Sequence, residues 1–262
     1  MTGMSMRRSG KPAIEWPTVV LAIFCYATWF AVGLFVWPSY PIVALIVLGL
    51  VLALQSSLIH EVLHGHPTRN ALVNEAFVFF PIGLVWPFRR FKAIRKAWLL
   101  HAIGVAVVVP IVIFGFGMPL WLYVLGPVWL GQSLISIRTY AEHQWSEHPE
   151  GRTIIVERSP LSFLFLNNNL HFVHHKSPTV AWYKLPKMFR ERREEWLRMN
   201  NGYVYPNYLA LIRSYAFKAK GPIVHPVLRR APEPGRAFKP RVRARNVNGL
   251  GTAPVPAEPP KE

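Results

Sequence analysis

The 262-residue chain contains no aspartate; its thirteen acidic residues are all glutamate. Chemistry that depends on an Asp is thereby excluded. One cysteine, Cys25, lies in an apolar run, which excludes a disulfide framework and cysteine-ligated zinc or iron–sulfur sites. Charge is scarce as well: 16% of residues are charged, against about 25% in ordinary soluble domains. Yet 30 Lys and Arg leave a net charge of +17, while 52% of the chain is hydrophobic. A typical nucleic-acid binder does not pair that charge with that apolarity. Membrane spans with basic flanks account for both.

Residues 18–37 carry no charge and are long enough, at ~1.5 Å per residue, to cross a ~30 Å hydrocarbon core. A cleavable signal would be shorter and end in small residues. Trp37-Pro38 follows instead, so this segment reads as a retained span. Residues 41–59, 98–115 and 119–137 read as three more. Residues 77–88 are apolar but too short to cross, and Pro81 and Pro87 break them; they read as a re-entrant or interfacial segment. The turns at 38–41 and 115–119 lack charge, whereas the N-terminus, 89–96 and the chain after Arg138 are basic. The positive-inside rule then places both termini in the cytoplasm. Residues 186–199 read as an amphipathic helix, with Met188, Trp196 and Leu197 either on a membrane surface or on the cap. The expectation is an all-α membrane protein with four transmembrane helices, a re-entrant or interfacial segment and a cytoplasmic helical cap. Residues 1–16 form a cytoplasmic N-terminal segment, 17–230 the membrane domain, and 231–262 a disordered basic Pro-rich tail suited to anionic headgroups.

Ten histidines punctuate this plan. His60 and His64 are spaced i, i+4 at the end of the second span, so they share a helix face and can grip a metal. Glu142-His143 follows the fourth span, with His148 nearby. His171 and His175 repeat the i, i+4 spacing, with His174 beside them. Imidazoles without thiolates suit iron, zinc or copper. HEVLH at 60–64 also matches H-E-x-x-H, which in zinc proteases supplies two ligands and a general base, here Glu61. An intramembrane zinc protease would take a third ligand, an Asp in the enzymes of that kind, and this chain has none. That reading also leaves His143, His171, His174 and His175 without a role.

HEVLHGHPTRN at 60–70, PFRRFKAIR at 87–95, RTYAEH at 138–143, NNNLHFVHH at 167–175 and WYKLP at 182–186 together resemble the membrane fatty acid desaturase family, with its related hydroxylases and ketolases. The resemblance covers about residues 40–190. It implies a non-haem di-iron centre that activates O₂ and removes hydrogen from an unactivated methylene, fed by a separate ferredoxin-, rubredoxin- or cytochrome-like electron donor. The substrate it implies is an acyl chain in the membrane; no nucleic acid is involved. Carried over residue by residue, His60, His64, His143, His171, His174 and His175 are the metal ligands. Glu61, Glu142 and His66 would orient them, and Asn168, with Asn167 and Asn169, would cap the His171 helix or hold water near the metal. One departure stands out. The family's middle H-x-x-H-H box falls in register on Arg95, Trp98 and Leu99, none of which binds metal, so the box and the loop after it are missing. His66 and His101 are the histidines near enough to stand in.

Overall fold

The computed structural model describes residues 14–84, 94–146, 149–218 and 220. Most of the expected N-terminal segment, the Pro-rich tail, residues 85–88 of the expected re-entrant segment, His148 and His225 lie outside them. Four helices are long and apolar enough to cross a membrane: α1 (Trp16–Val36), α2 (Pro41–Leu63), α4 (Arg95–Gly115) and α5 (Leu120–Glu142). The short α3 (Ala71–Phe77) precedes α4, with the Asn70 side chain accepting from the Leu72 and Val73 N–H groups as its cap. Pro17 and Pro41 occupy the first turns of α1 and α2, where a missing N–H costs nothing. All four expected spans are present, but α2 and α5 run past their expected ends at 59 and 137. Hydropathy falls where polar residues begin, while the backbone ladder continues. The histidine-bearing ends are therefore turns of continuous helices.

α2 is apolar all round and packs against α1 and α5, as befits a central helix. Its approach to α5 depends on a glycine. A Cβ on Gly131 would lie 2.9 Å from the Gly49 carbonyl oxygen and 3.0 Å from Leu52 Cβ, a close contact of the kind small residues allow between spans. Gly131→Leu is therefore expected to cost about 1–3 kcal/mol by overpacking, read as a lowered unfolding midpoint in detergent. An unchanged midpoint would show that α2 and α5 do not pack this closely. Outward-facing Phe24, Ile42, Phe114, Trp121 and Leu125 are exposed, as lipid contact requires.

After α3 the chain leaves helical geometry yet stays inside the bundle, with Val78 and Ile82 buried. Unpaired carbonyls at membrane depth are costly, and side chains from the spans answer them. Gln55 Nε2 (2.8 Å) and the Tyr26 hydroxyl (3.0 Å) donate to the Phe80 carbonyl. The Tyr123 hydroxyl donates to Ile82 O (2.7 Å) and accepts from Trp29 Nε1 (2.8 Å). After Phe77, the described part of 77–88 is thus an irregular segment packed into the bundle through Val78 and Ile82, with Phe80 exposed.

Beyond α5 a small cap packs on two apolar clusters, one its own and one shared with Ala53 and Ile135 of the spans. Its helices are α6 (His171–Lys176), α7 (Leu185–Glu191), α8 (Arg193–Met199) and α9 (Tyr208–Tyr215). A parallel pair, β1 (Ile155–Val156) and β2 (Val204–Tyr205), joins them in the register Ile155↔Val204 and Val156↔Tyr205. An all-α reading misses this pair because two residues are too few for a period-two pattern. The single helix expected over 186–199 is two, broken at Arg192. The break turns Phe189 and Trp196 onto one cluster with Ile155, Leu170 and Phe172, with Met188 and Leu197 packed at its edge. Trp196 is only 2% exposed, so this apolar face serves the cap and not a membrane surface.

Candidate metal centre

Three segments carry the site. The last turns of α2 present His60 and His64 with ring centroids 4.8 Å apart. The helix closes behind them in a Schellman arrangement: Gly65 takes φ +83°, its N–H donates to Val62 O (2.9 Å), and the His66 N–H donates to Glu61 O (3.2 Å). Glycine is needed there because left-handed backbone penalises a Cβ. α5 ends at Glu142, and His143 continues in extended geometry, bridged to Thr153. A turn over Asn168–Leu170 leads into α6, which supplies His171, His174 and His175.

The six histidines meet as two trios. His60, His64 and His174 offer ligand atoms all within 4.8 Å of one another, and so do His143, His171 and His175. In the first, the His174 ring lies 4.3 Å from His64 and 5.2 Å from His60. In the second, His171 lies 4.7 Å from His143 and 4.4 Å from His175. The trios adjoin, with the His60 and His171 rings 6.4 Å apart. Adjacent His174 and His175 thus serve different trios. The first is the inner one, with His174 buried; in the outer one His143 and His175 are exposed while His171 is buried.

Supporting contacts fix the outer trio. Asn168 Oδ1 sits 2.9 Å from His171 Nδ1; assigning the proton to Nδ1 leaves Nε2, 3.1 Å from His143 Nε2, free as a ligand. Asn168 Nδ2 donates to Glu142 Oε1. Arg138 Nε lies 3.0 Å from that same oxygen, an ion pair rather than an aligned hydrogen bond, and Arg138 Nη1 donates to Ser57 Oγ on α2 (3.1 Å). Lys220 donates from Nζ to the carbonyls of Tyr140, Ala141 (2.9 Å) and His143 (2.5 Å). It caps an α5 end that has no basic residue of its own.

Other expected participants are placed differently. Asn167 Nδ2 bonds Trp182 O (3.1 Å) and Asn169 Nδ2 bonds Val156 O (2.7 Å). α6 has no side-chain cap, so the asparagines tie segments together and do not cap it. His66 lies outside both trios; its Nδ1 is 2.8 Å from both oxygens of Glu15, and both residues are buried. Glu61 is buried, accepts from the Trp182 backbone N–H, and comes no nearer to His60 Nδ1 than 3.9 Å. His101 stays on α4 beside Trp98. Arg95, Trp98 and Leu99 are exposed at the start of α4. Neither His66 nor His101 therefore replaces the missing box. Glu15 and Lys220 were invisible from sequence, since their partners are 51 and 77 residues away.

The donor set fits a pair of metal ions. Burial, and then the neighbouring histidines, push His174 down to about 2 and His171 well below the usual imidazole range. Burial also lowers His64, His143 and His175, with Lys220 adding to the effect at His143. Neutral imidazoles are the form that binds metal. His174 Nε2 is buried with no hydrogen-bond partner, a costly state that a ligated ion relieves. Six imidazoles without carboxylate or thiolate suit iron, zinc or copper.

A family model described as fatty acid desaturase matches residues 84–207. That stretch holds His143, His171, His174 and His175, while His60 and His64 precede it. No curated protein and no solved structure matches the chain.

Proposed function

Because residues 84–207 make this chain a member of the fatty acid desaturase family, in general a family of di-iron oxidoreductases, we propose that it removes hydrogen from a membrane acyl chain with O₂. One observation carries the reading: three separated segments deliver six imidazoles as two adjoining trios. His60, His64 and His174 would hold one iron, and His143, His171 and His175 the other. The irons, once bound, supply the oxidising power that an unactivated C–H bond demands and that side-chain acid–base chemistry lacks. Asn168 and Glu142 hold His171 in one tautomer and orientation. Lys220 fixes the backbone on both sides of Glu142, and the apolar spans bring the acyl chain to the site from the bilayer.

Desaturation balances as R–CH₂–CH₂–R′ plus O₂, two electrons and two protons giving R–CH=CH–R′ and two waters. The electrons come from a separate donor of ferredoxin, rubredoxin or cytochrome type. Hydroxylation by the same first hydrogen abstraction is the close alternative. A second reading, a family member that binds lipid without redox chemistry, is favoured by Arg95, Trp98 and Leu99 at the positions of the middle box. In either case the cap and both termini lie in the cytoplasm, as the basic flanks require.

Product analysis separates these readings. Membranes containing the chain, with iron, a reduced ferredoxin and a saturated acyl substrate, are expected to yield unsaturated or hydroxylated product, and the His171→Ala chain none. Two irons per chain with neither product would establish the non-enzymatic reading. Proteolytic activity that survives loss of His143 and His174 but not Glu61→Gln would restore the protease.

A further inference from the structure

Among the described residues three glutamates are buried: Glu15, Glu61 and Glu142. A carboxylate out of water is costly unless something compensates it. Glu142 serves the outer trio through Asn168. Glu15 is the N-cap residue of α1, yet its side chain caps nothing there, although a capping carboxylate favours a helix start. Both its oxygens lie 2.8 Å from His66 Nδ1 instead, with the proton assigned to that nitrogen. His66 is fully buried and follows His64 by two residues. The backbone makes the same connection: the Glu15 N–H donates to Pro67 O (3.0 Å), and Ile14 bridges to Thr68. The start of α1 is thereby fastened to the chain that leaves α2 just past its histidines.

Within the same turn of α1 a second fastening runs to the cap. Thr18, whose N–H donates to Glu15 O (3.0 Å), is buried and accepts from Trp182 Nε1 (3.2 Å). Trp182 follows His174 by eight residues. With Leu166 it enters the buried apolar cluster of the spans. Its carbonyl accepts from Asn167 Nδ2 (3.1 Å), just ahead of the turn into α6, and its backbone N–H donates to Glu61 on α2. Trp182 therefore ties the chain before α6 to the chain after it, and Thr18 ties Trp182 to α1.

We propose that the first turn of α1, which supplies no ligand, positions the inner metal site. Glu15 fixes the α2 end that bears His60 and His64, and Thr18 fixes the cap that bears His174. Ligands must be held to within about 0.5 Å of their working positions, and this turn sets the separation of the two segments that have to meet. The outer trio comes wholly from residues after α5 and is held by Asn168, Glu142 and Lys220, so it does not depend on α1. Glu15 and Thr18 are thus positioning residues for one metal of the pair. The proposal rests on the reading of the two trios as two metal positions.

The test is Fe(II) binding by the full chain in mild detergent, without oxygen and in competition with a chelator of known affinity. In a His175→Ala background the inner trio alone is complete. There Glu15→Leu with Thr18→Val, which removes both acceptors, is expected to weaken iron binding about 10–100-fold. Glu15→Gln with Thr18→Ser keeps an acceptor oxygen at each position and is expected to bind as tightly as the background. In a His174→Ala background, where the outer trio is complete, the Leu and Val pair is expected to change nothing. Should that pair misfold, Trp182→Phe with Thr18→Val removes donor and acceptor together and is expected to weaken the inner position in the same sense. Unchanged inner affinity, equal weakening of both positions, or a Gln and Ser pair as weak as the Leu and Val pair would overturn the proposal. No iron in the His175→Ala background before either tie is cut would overturn the inner trio as a metal position, and the proposal with it.

Discussion

His174→Ala and His175→Ala, substitutions at adjacent residues, are expected to empty different metal positions. Each variant should keep about one of the two irons proposed for the wild type, and the double variant should keep almost none. The reason lies in helix geometry. At ~100° per residue, neighbours on α6 point in different directions, and His174 faces His60 and His64 while His175 faces His143 and His171. A metal held by three imidazoles loses a third of its protein ligands on each truncation, whereas the other trio is untouched. The inner position carries the stronger expectation, because His174 is buried and its Nε2 has no other partner. Elemental mass spectrometry on the detergent-purified chains gives the stoichiometry directly. Loss of both metals in either single variant would mean that the six histidines form one cooperative centre. Retention of both in each variant would remove α6 from the ligand set.

The histidines themselves were legible in the sequence, because i, i+4 spacing is a local property of a helix. Their sorting was not. Whether His174 or His175 joins the α2 pair depends on how α6 is held against the end of α2, and the contacts that hold it come from Asn168, Glu142 and the β1–β2 pair. The spans were legible in the same local way, through uninterrupted apolar runs. Their ends were not, because α2 and α5 carry polar residues in their last turns while keeping helical hydrogen bonds. Hydropathy likewise marked 77–88 as apolar and too short to cross. It could not show that Gln55, Tyr26 and Tyr123 on the spans would satisfy the carbonyls of this stretch. The amphipathic pattern over 186–199 identified the apolar face and left its neighbour open between membrane surface and cap: periodicity names a face to be buried, and the tertiary fold decides against what.

The largest stability effect outside the metal ligands is expected at Arg138. Arg138 and Glu142 are 4% and 6% exposed and form an i, i+4 pair at 3.0 Å. Arg138→Met leaves the Glu142 carboxylate buried with Asn168 Nδ2 as its side-chain hydrogen-bond donor among the described residues and Lys220 as the cation still near it. It also removes the donor to Ser57 that ties α5 to α2. Breaking a buried pair from one side costs about 3–5 kcal/mol, because the remaining charge is stranded. Glu142→Gln strands the guanidinium in the same way, but its amide oxygen can still accept from Asn168, so His171 keeps its orientation. The double variant Arg138→Met/Glu142→Gln strands no charge. It should therefore be less destabilised than the sum of the singles, by an interaction energy in the range of about 0.5–3 kcal/mol. Unfolding midpoints in one detergent measure the cycle, and iron content measured alongside separates stability from ligation: Glu142→Gln is expected to keep the outer metal that His171→Ala loses. Additivity within about 0.5 kcal/mol would show that the two side chains do not share a buried environment, and that the link from α2 through Glu142 to His171 is not what holds the outer trio in place.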